Sequence, residues 1–243
     1  MIIGVLNPDE ESVFMIPSLI FTADSNECHR YEINFGITQN NDPYVEPSEY
    51  VLLEQIVNLP STLTSTVKTK SPVIEFFDNS SVICVWDSKK NSYEFAKNWN
   101  GIYGRDLFLS FEDETPKLVD KFSTKRSFVV YDILEILATP ESKEIKIDPD
   151  WEFKVFKDDG TVLLEYDTHS GSRNAASPNH LMSLLLNEHL KVIKEESSIT
   201  PESVGIYITK FSWFTEESEK ILKTKFIEIF EEMNVCCEFV EFC

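Results

Sequence analysis

The chain has 243 residues and a formal net charge of −20, and 42% of its residues are hydrophobic. This length and this apolar content support a sizeable core and exclude disorder over most of the chain. The negative charge repels phosphate and anionic lipid, so we expect neither a nucleic-acid-binding protein nor a membrane-surface protein. A basic protein partner is compatible with the charge.

The lack of a membrane-span or signal-peptide pattern and the pattern of cysteines both predict a cytoplasmic protein. No apolar run reaches the roughly 18 residues that a membrane span requires. The segment Met1–Leu6 lacks the basic region that opens a signal peptide. The cysteine count is odd and no pair has Cys-x-x-Cys spacing, so we expect free thiols in a reducing compartment. The cysteines are Cys28, Cys84, Cys236, Cys237 and Cys243.

Residues 1–70 have the least regular pattern, and we treat them as one N-terminal region of hairpins and loops. Two apolar stretches, Ile2–Val5 and Val13–Phe21, predict a hairpin around the turn-forming Asn7–Glu10. Gln39–Pro43 is typical of a loop, and the Ser/Thr-rich Ser61–Thr66 predicts a mobile connector.

From Pro72 onward the pattern becomes that of strands. Val73–Phe77 and Ser81–Trp86 predict two strands joined by a turn at Asp78-Asn79. Asp87–Asn91 predicts a second turn, and the acidic Glu112–Pro116 predicts a solvated loop.

The second half of the chain predicts helices between strands. Phe128–Leu137 has a helical stripe that ends before Pro140, and Trp151–Tyr166 predicts a hairpin. Ser177 caps a helix with Pro178 at its first position, and the strand Val204–Thr209 follows. A helix from Thr215 and a final apolar run, Val235–Val240, complete a strand–helix–strand crossover, which implies two parallel strands and an α/β fold.

Four segments of residues 71–243 are similar, in order and spacing, to segments of one family. They are the helix-like Phe128–Leu137, the strand and turn Asp150–Gly160, the short Tyr93–Asn98 and the strand Val204–Phe214. Together they resemble the ATPase domain of the seventy-kilodalton heat-shock chaperones, the DnaK family. The resemblance implies a partial actin-like ATPase lobe, related to the ribonuclease H-like fold, in which helices pack on a mixed sheet. It also implies that the sequence stops before the family's second phosphate loop.

The phosphate-binding part of the family pattern is altered. The family holds phosphates in a Gly-rich first turn whose backbone N–H groups face the anion. We match that turn to residues 4–12, Gly-Val-Leu-Asn-Pro-Asp-Glu-Glu-Ser. Here a proline removes a donor and three consecutive carboxylates oppose a nucleotide. We therefore expect no cofactor.

Two residues match catalytic positions of the family. Lys97 corresponds to the lysine that contacts the γ-phosphate, and Glu241 corresponds to the carboxylate near the metal. With the phosphate loops altered or missing, we interpret both as vestigial: a surface lysine beside a turn and an exposed acid. We therefore predict no catalytic residue.

Other arrangements favour structural roles over chemistry. Cys28-His29 does not make a dyad, because neighbours on a strand point to opposite faces. The histidines are too scattered for the three or four ligands of a metal site, and we expect each to face solvent. They are His29, His169, His180 and His189. In its apolar strand, Cys236-Cys237 is expected to be buried.

These expectations favour a non-catalytic chaperone-like protein that docks onto a protein partner, such as a co-chaperone or the ribosome. One alternative is a nucleotide-dependent chaperone ATPase that a partner chain completes, supported by Lys97 and Glu241. Another alternative is an acidic inhibitor of a basic protein, which would carry a clustered face of carboxylates and bind in a salt-sensitive way.

Overall fold

The computed structural model describes residues 4–6, 13–15, 28–38, 40, 43–120, 125–140, 143–209 and 214–242. Its chain divides into two compact units, residues 1–57 and 58–243. The sequence predicts that the N-terminal region ends at residue 70, and the boundary between the two units lies 13 residues earlier (70 minus 57).

Unit 1 contains two antiparallel strand pairs and one short helix. Strands β1 (Gly4–Leu6) and β2 (Val13–Met15) pair, as do β3 (Arg30–Ile37) and β4 (Pro43–Val51), and helix α1 (Glu54–Val57) follows. The predicted N-terminal hairpin is therefore confirmed over the paired residues, while 16–21 lie outside the described residues. The predicted loop at 39–43 joins β3 to β4, although residues 39, 41 and 42 are also outside that description.

Unit 2 contains the remaining four helices and twelve strands of the described residues. The helices are α2 (Leu59–Thr66), α3 (Ile133–Leu137), α4 (Pro178–Ser197) and α5 (Glu216–Glu232). The strands are β5 (Val73–Phe77), β6 (Ser80–Asp87), β7 (Ser92–Phe95), β8 (Arg105–Asp106), β9 (Phe108–Ser110), β10 (Lys117–Val119), β11 (Val129–Val130), β12 (Lys154–Asp158), β13 (Thr161–Asp167), β14 (Arg173–Ala176), β15 (Ser203–Ile208) and β16 (Cys236–Phe239).

A mixed sheet forms the centre of unit 2. Its strand order is β16-β15-β5-β6-β7, and the short β8 also pairs with β6. Strands β5, β6 and β7 are antiparallel neighbours, whereas β15 lies parallel to both β5 and β16. Helix α5 is the crossover between β15 and β16. The predicted hairpin, the parallel pair and the α/β class with helices packed on a mixed sheet are confirmed.

Helices α4 and α5 pack on one face of this sheet. Because side chains alternate along a strand, Ile74 and Phe76 point toward the helices, and the Phe76 ring lies 5.3 Å from that of Phe226 on α5. Val73, Glu75 and Phe77 point to the opposite face, and all five residues of β5 are buried.

Two smaller antiparallel sheets complete unit 2, with strand orders β10-β9-β11 and β12-β13-β14. The hairpin predicted over Trp151–Tyr166 is formed by β12 and β13 around Asp159 and Gly160, which both have positive φ. The acidic loop predicted at Glu112–Pro116 is confirmed as an irregular, largely exposed segment.

Both long helices begin as predicted. The Ser177 hydroxyl accepts a hydrogen bond from the His180 backbone N–H at the start of α4. At α5, Thr215 and Ser218 form a reciprocal capping box, which pairs two backbone donors that would otherwise be orphaned. Asn234, with φ of 56°, ends α5 in the left-handed conformation that asparagine tolerates.

Two predictions about local structure are wrong. Ser61–Thr66 is not a connector but lies within α2, where Leu59 and Leu63 are buried. The helix predicted over Phe128–Leu137 is confined to α3, because Val129 and Val130 pair with β9.

Candidate functional site

The resemblance matches residues 4–12 to the family's phosphate turn. Residues 4–6 form β1, which pairs with β2 in a separate two-stranded sheet of unit 1, and residues 7–12 lie outside the described residues. The mixed sheet of unit 2 has its own first turn at Asp78-Asn79, between β5 and β6.

This turn is short, lacks glycine and is filled by contacts from its own chain. Asp78 has a φ of 46°, which an aspartate tolerates in a tight hairpin. The Asn79 carbonyl accepts a hydrogen bond from the Leu107 N–H at 2.8 Å, and its side-chain oxygen accepts one from the Asp132 N–H at 2.9 Å. The Asp132 carboxylate in turn accepts the Trp151 indole N–H at 2.9 Å.

The turn and its neighbours offer little that would attract an anion. Burial raises the pKa of the Asp132 carboxyl, and burial also raises that of Asp106 on β8. Asp78 and Asn79 supply one negative charge and no positive charge to the turn. The Asn79 side-chain nitrogen is buried and has no hydrogen-bond partner among the described residues. One amide donor in an acidic surrounding is a weak substitute for a row of backbone N–H groups.

Glu75, two strand positions before Phe77, is the most unusual ionisable group of the sheet. Its side chain is fully buried, and one carboxylate oxygen accepts the Thr209 hydroxyl at 2.6 Å. The other oxygen has no partner among the described residues. Burial raises the pKa of Glu75 from its usual 4.5 to about 7, and the Thr209 hydrogen bond opposes that rise only partly. The carboxyl can therefore hold or release a proton near neutral pH.

The surroundings of Glu75 are apolar or weakly acidic. Tyr207 lies beside it on β15, and burial followed by the Glu75 charge raises the pKa of this tyrosine. Burial, followed by the same charge, also raises the pKa of the Cys84 thiol on β6 well above its usual value. This environment disfavours the charged form of Glu75, and it keeps Cys84 an inert thiol.

A second buried polar group joins the sheet to α4. His189 is fully buried, and its Nδ1–H donates to the Leu185 carbonyl at 2.7 Å. The other ring nitrogen, Nε2, then accepts the Ser81 hydroxyl at 2.8 Å. The Trp99 indole N–H donates to that same hydroxyl oxygen at 3.0 Å. Burial lowers the pKa of His189 to about 4, so the ring is neutral at pH 7.

The Ser81 hydroxyl and the His189 ring are as close as a nucleophile and its general base, but a substrate has no access to them. Both residues have no exposed surface, and the Trp99 and Phe76 rings lie 4.2 and 5.6 Å from the His189 ring. No substrate can reach this hydroxyl without opening the core, so the pair is a satisfied buried network. The expectation that every histidine faces solvent is wrong for His189.

Lys97 and Glu241 lie at opposite edges of the sheet. Lys97 follows β7 in a short 3-10 helix and is exposed, and it has no ion pair within the described part of the chain. Glu241 follows β16, where it pairs with Lys223 at 2.8 Å, and this contact lowers the pKa of Glu241. Four strand steps separate the edges, which is roughly 19 Å at about 4.8 Å per step. The structure does not bring the two residues together.

The remaining candidates do not form a reactive cluster. His29 Nδ1 accepts a hydrogen bond from the Leu53 backbone N–H at 2.8 Å, which gives this histidine a structural role that does not involve the adjacent Cys28. Cys236 is exposed and Cys237 half-buried, so the prediction that both are buried is wrong. Cys243 lies outside the described residues. Within the described ranges, no group of three or more histidine, cysteine and acidic residues could hold a metal ion.

Sequence reasoning missed both Glu75 and His189, although one signal was visible. Glu75 interrupts an apolar strand at a position that alternation assigns to the same face as Val73 and Phe77. A charged side chain within a strand that is buried on both faces is rare, and such an exception marks a special site.

Comparisons with known proteins do not identify a family. No protein-family model matches the chain, and no curated protein matches it either. Among the helices of the described residues, none has the length and apolar character that crossing a bilayer requires.

Proposed function

We propose that this chain is a non-catalytic, chaperone-like docking module: a partial actin-like ATPase lobe that acts through protein contacts in the cytoplasm. The turn at Asp78-Asn79 carries this proposal. In the resembling family the first turn of the sheet offers backbone N–H groups to phosphate. Here Asn79 accepts hydrogen bonds from the Leu107 and Asp132 N–H groups, and no glycine opens the turn.

The strand order supports the actin-like part of the proposal. A ribonuclease H-like lobe has three antiparallel strands, followed by parallel strands that are added on the other side of the first strand through helical crossovers. The order β16-β15-β5-β6-β7, with α4 before β15 and α5 before β16, has that form. Under this proposal, β5 corresponds to the strand that leads into the phosphate turn.

The charge supports a basic protein partner, for which a co-chaperone or a ribosomal protein is the proposed class. With a net charge of −20, the chain is steered toward cationic surfaces and away from nucleic-acid phosphate or anionic lipid. A partner bound through surface contacts requires neither a nucleotide nor a metal ion in this chain.

Co-sedimentation with ribosomes and affinity purification from cells test the proposal together. We expect a specific partner to be recovered equally well from extracts depleted of ATP and extracts supplied with it. Recovery that depends on ATP would contradict the docking function, and so would recovery of no specific partner by either route.

A nucleotide-dependent chaperone ATPase completed by a partner chain is the second candidate. Lys97 favours it, because this exposed lysine has no ion pair within the described part of the chain and is available to an anion. The candidate predicts that Lys97→Ala weakens Mg-ATP binding to the complex of both chains, whereas the docking function predicts no change.

An acidic inhibitor is the third candidate, and it differs from the first in its target. Residues 215–242, which include α5 and β16, contain eight glutamates and three lysines. This candidate predicts tight, salt-sensitive inhibition of a basic enzyme or nucleic-acid-binding protein.

A further inference from the structure

Strand β16 is an edge of the mixed sheet, and half of its main-chain groups face away from the sheet. The Cys236 N–H donates to the Glu202 carbonyl at 2.8 Å, and the Val240 N–H donates to the Ile206 carbonyl at 2.9 Å. In a parallel ladder the residues that point toward the neighbour alternate with those that point away. Cys237 and Phe239 therefore direct their N–H and C=O groups outward, and no other described strand pairs with them.

The side chains along this edge form a surface that a strand could cover. Cys237 and Phe239 are half-buried on the face that α5 covers, and the Lys223 ammonium lies 5.6 Å from the centre of the Phe239 ring. On the other face, the Phe242 ring packs 4.5 Å from that of Tyr207. An added strand would thus find apolar contacts on both faces of the ladder.

Unpaired acidic residues surround the same edge. They are all exposed and have no ion-pair partner within the described part of the chain. They are Glu202, Glu231, Glu232 and Glu238. Glu202 and the pair at the end of α5 lie at the start of β16, while Glu238 lies in its middle. The carboxyl end of α5 adds the negative end of its helix dipole to this region.

We propose that the β16 edge binds an extended basic segment of a partner protein by strand addition. The inference rests on the proposed docking function and identifies the surface and the chemistry of the partner. The outward main-chain groups select an extended strand, because a helix has no free donors and acceptors along its side. The four carboxylates select lysine and arginine in that strand.

The charges also disfavour a second copy of this chain at the same edge. Two β16 strands paired across a two-fold axis would bring two identical sets of unpaired acids together, and like charges across a ladder are destabilising. We therefore expect the chain to stay monomeric at high protein concentration and its β16 edge to pair with a cationic strand only.

A pair of short peptides separates strand addition from simple charge attraction. The probe is a fluorescein-labelled Lys-Val-Lys-Val-Lys-Val-Lys peptide, and its partner is Lys-Pro-Lys-Pro-Lys-Pro-Lys, which has the same charge but cannot form a ladder. Fluorescence anisotropy should give saturable binding of the first peptide at least about tenfold tighter than that of the second. Equal affinities, or no saturable binding of the first peptide below about 1 mM, would overturn the proposal.

Matched charge variants locate the site. The edge variant and the control variant each replace three exposed glutamates by glutamine, so their net charges are equal. They are Glu231→Gln/Glu232→Gln/Glu238→Gln and Glu112→Gln/Glu114→Gln/Glu144→Gln. We expect the edge variant to weaken binding of the lysine–valine peptide about tenfold more than the control does, with the difference shrinking at high salt. Equal losses in both variants would place the peptide elsewhere and refute the inference.

The same two variants separate this inference from the function on which it rests. If the cellular partner is recovered by the intact chain and equally by the edge variant, the docking function stands and the β16 surface is wrong. If neither chain recovers a specific partner, the docking function itself fails, whatever the peptides do.

Discussion

The buried carboxyl of Glu75 makes the stability of this protein depend on pH in a direction unusual for a glutamate. Its pKa in the folded chain is about 7 because of burial, against an ordinary 4.5. The proton stabilises the folded state fully below pH 4.5, and that stability is lost as the pH rises to about 7. At about 1.4 kcal/mol per pKa unit, the loss is about 3 kcal/mol, a large part of the stability of an ordinary domain.

Glu75→Gln removes this titration while it keeps the shape of the side chain. The amide oxygen can still accept the Thr209 hydroxyl, and the amide nitrogen replaces the oxygen that has no partner. That unpaired nitrogen costs about 1–3 kcal/mol at every pH. The stability of the variant relative to the wild type should nevertheless rise by about 3 kcal/mol between pH 4.5 and pH 8.

Urea unfolding followed by tryptophan fluorescence measures this difference at each pH. Glu94→Gln is the matched control, because Glu94 lies on β7 and contacts with Lys90 and Ser92 lower the pKa of its carboxyl. The control should show a small change of the opposite sign, since a lowered pKa adds stability as the pH rises. A stability difference for Glu75→Gln that stays flat from pH 4.5 to pH 8 would refute a protonated, buried Glu75.

Three further perturbations have expected outcomes in the same assay. Because the pKa of the buried His189 is about 4, the free energy of unfolding should fall by about 3 kcal/mol as the pH falls from 6.5 to 4. His189→Gln should abolish this pH dependence, and an unchanged slope would contradict the expectation. Gly104→Ala should destabilise by at least about 3 kcal/mol, since its Cβ would lie 2.3 Å from a backbone oxygen, while Gly101→Ala meets no atom within 4 Å and should cost about 1 kcal/mol; equal losses would argue against the contact. Thr215→Ala should cost about 1 kcal/mol through the lost α5 cap, and Thr224→Ala, within the same helix, should cost clearly less; the reverse order would exclude the capping box.

Elements with a strong local signal were predictable from the sequence. Helices α4 and α5 have an apolar stripe and a Ser or Thr cap, and their starts are where the pattern places them. Strand β15 alternates apolar and small or polar residues, and the crossover rule alone gives its parallel pairing with β16.

Elements that depend on distant contacts were not predictable. The hydroxyl-rich helix α2 has the composition of a loop, yet the Thr62 and Thr64 hydroxyls donate to backbone carbonyls four residues earlier. Thr64 also accepts the Tyr93 N–H of β7 at 2.9 Å, a contact that no local pattern predicts. Val129 and Val130 fit a helical period, but Asp132, with φ of 54°, separates them from α3.

The candidate site likewise has a part with a local sequence signal and a part that depends on distant contacts. The tight turn at Asp78-Asn79 is visible in the sequence, but its role as the first turn of the sheet depends on the strand order. Strand order is a non-local property, and no local pattern shows that β5 and β6 are the first strands of the mixed sheet. The Ser81 and His189 contact joins residues 108 positions apart and has no local signal.

Titration of the purified chain with Mg-ATP in a calorimeter tests the central claim most directly. The contacts that fill the turn at Asp78-Asn79 predict no saturable heat of binding, either for the wild type or for Lys97→Ala. Saturable binding at micromolar concentration that Asp78→Gly strengthens would show that this turn still holds phosphate, and it would contradict the docking-only account.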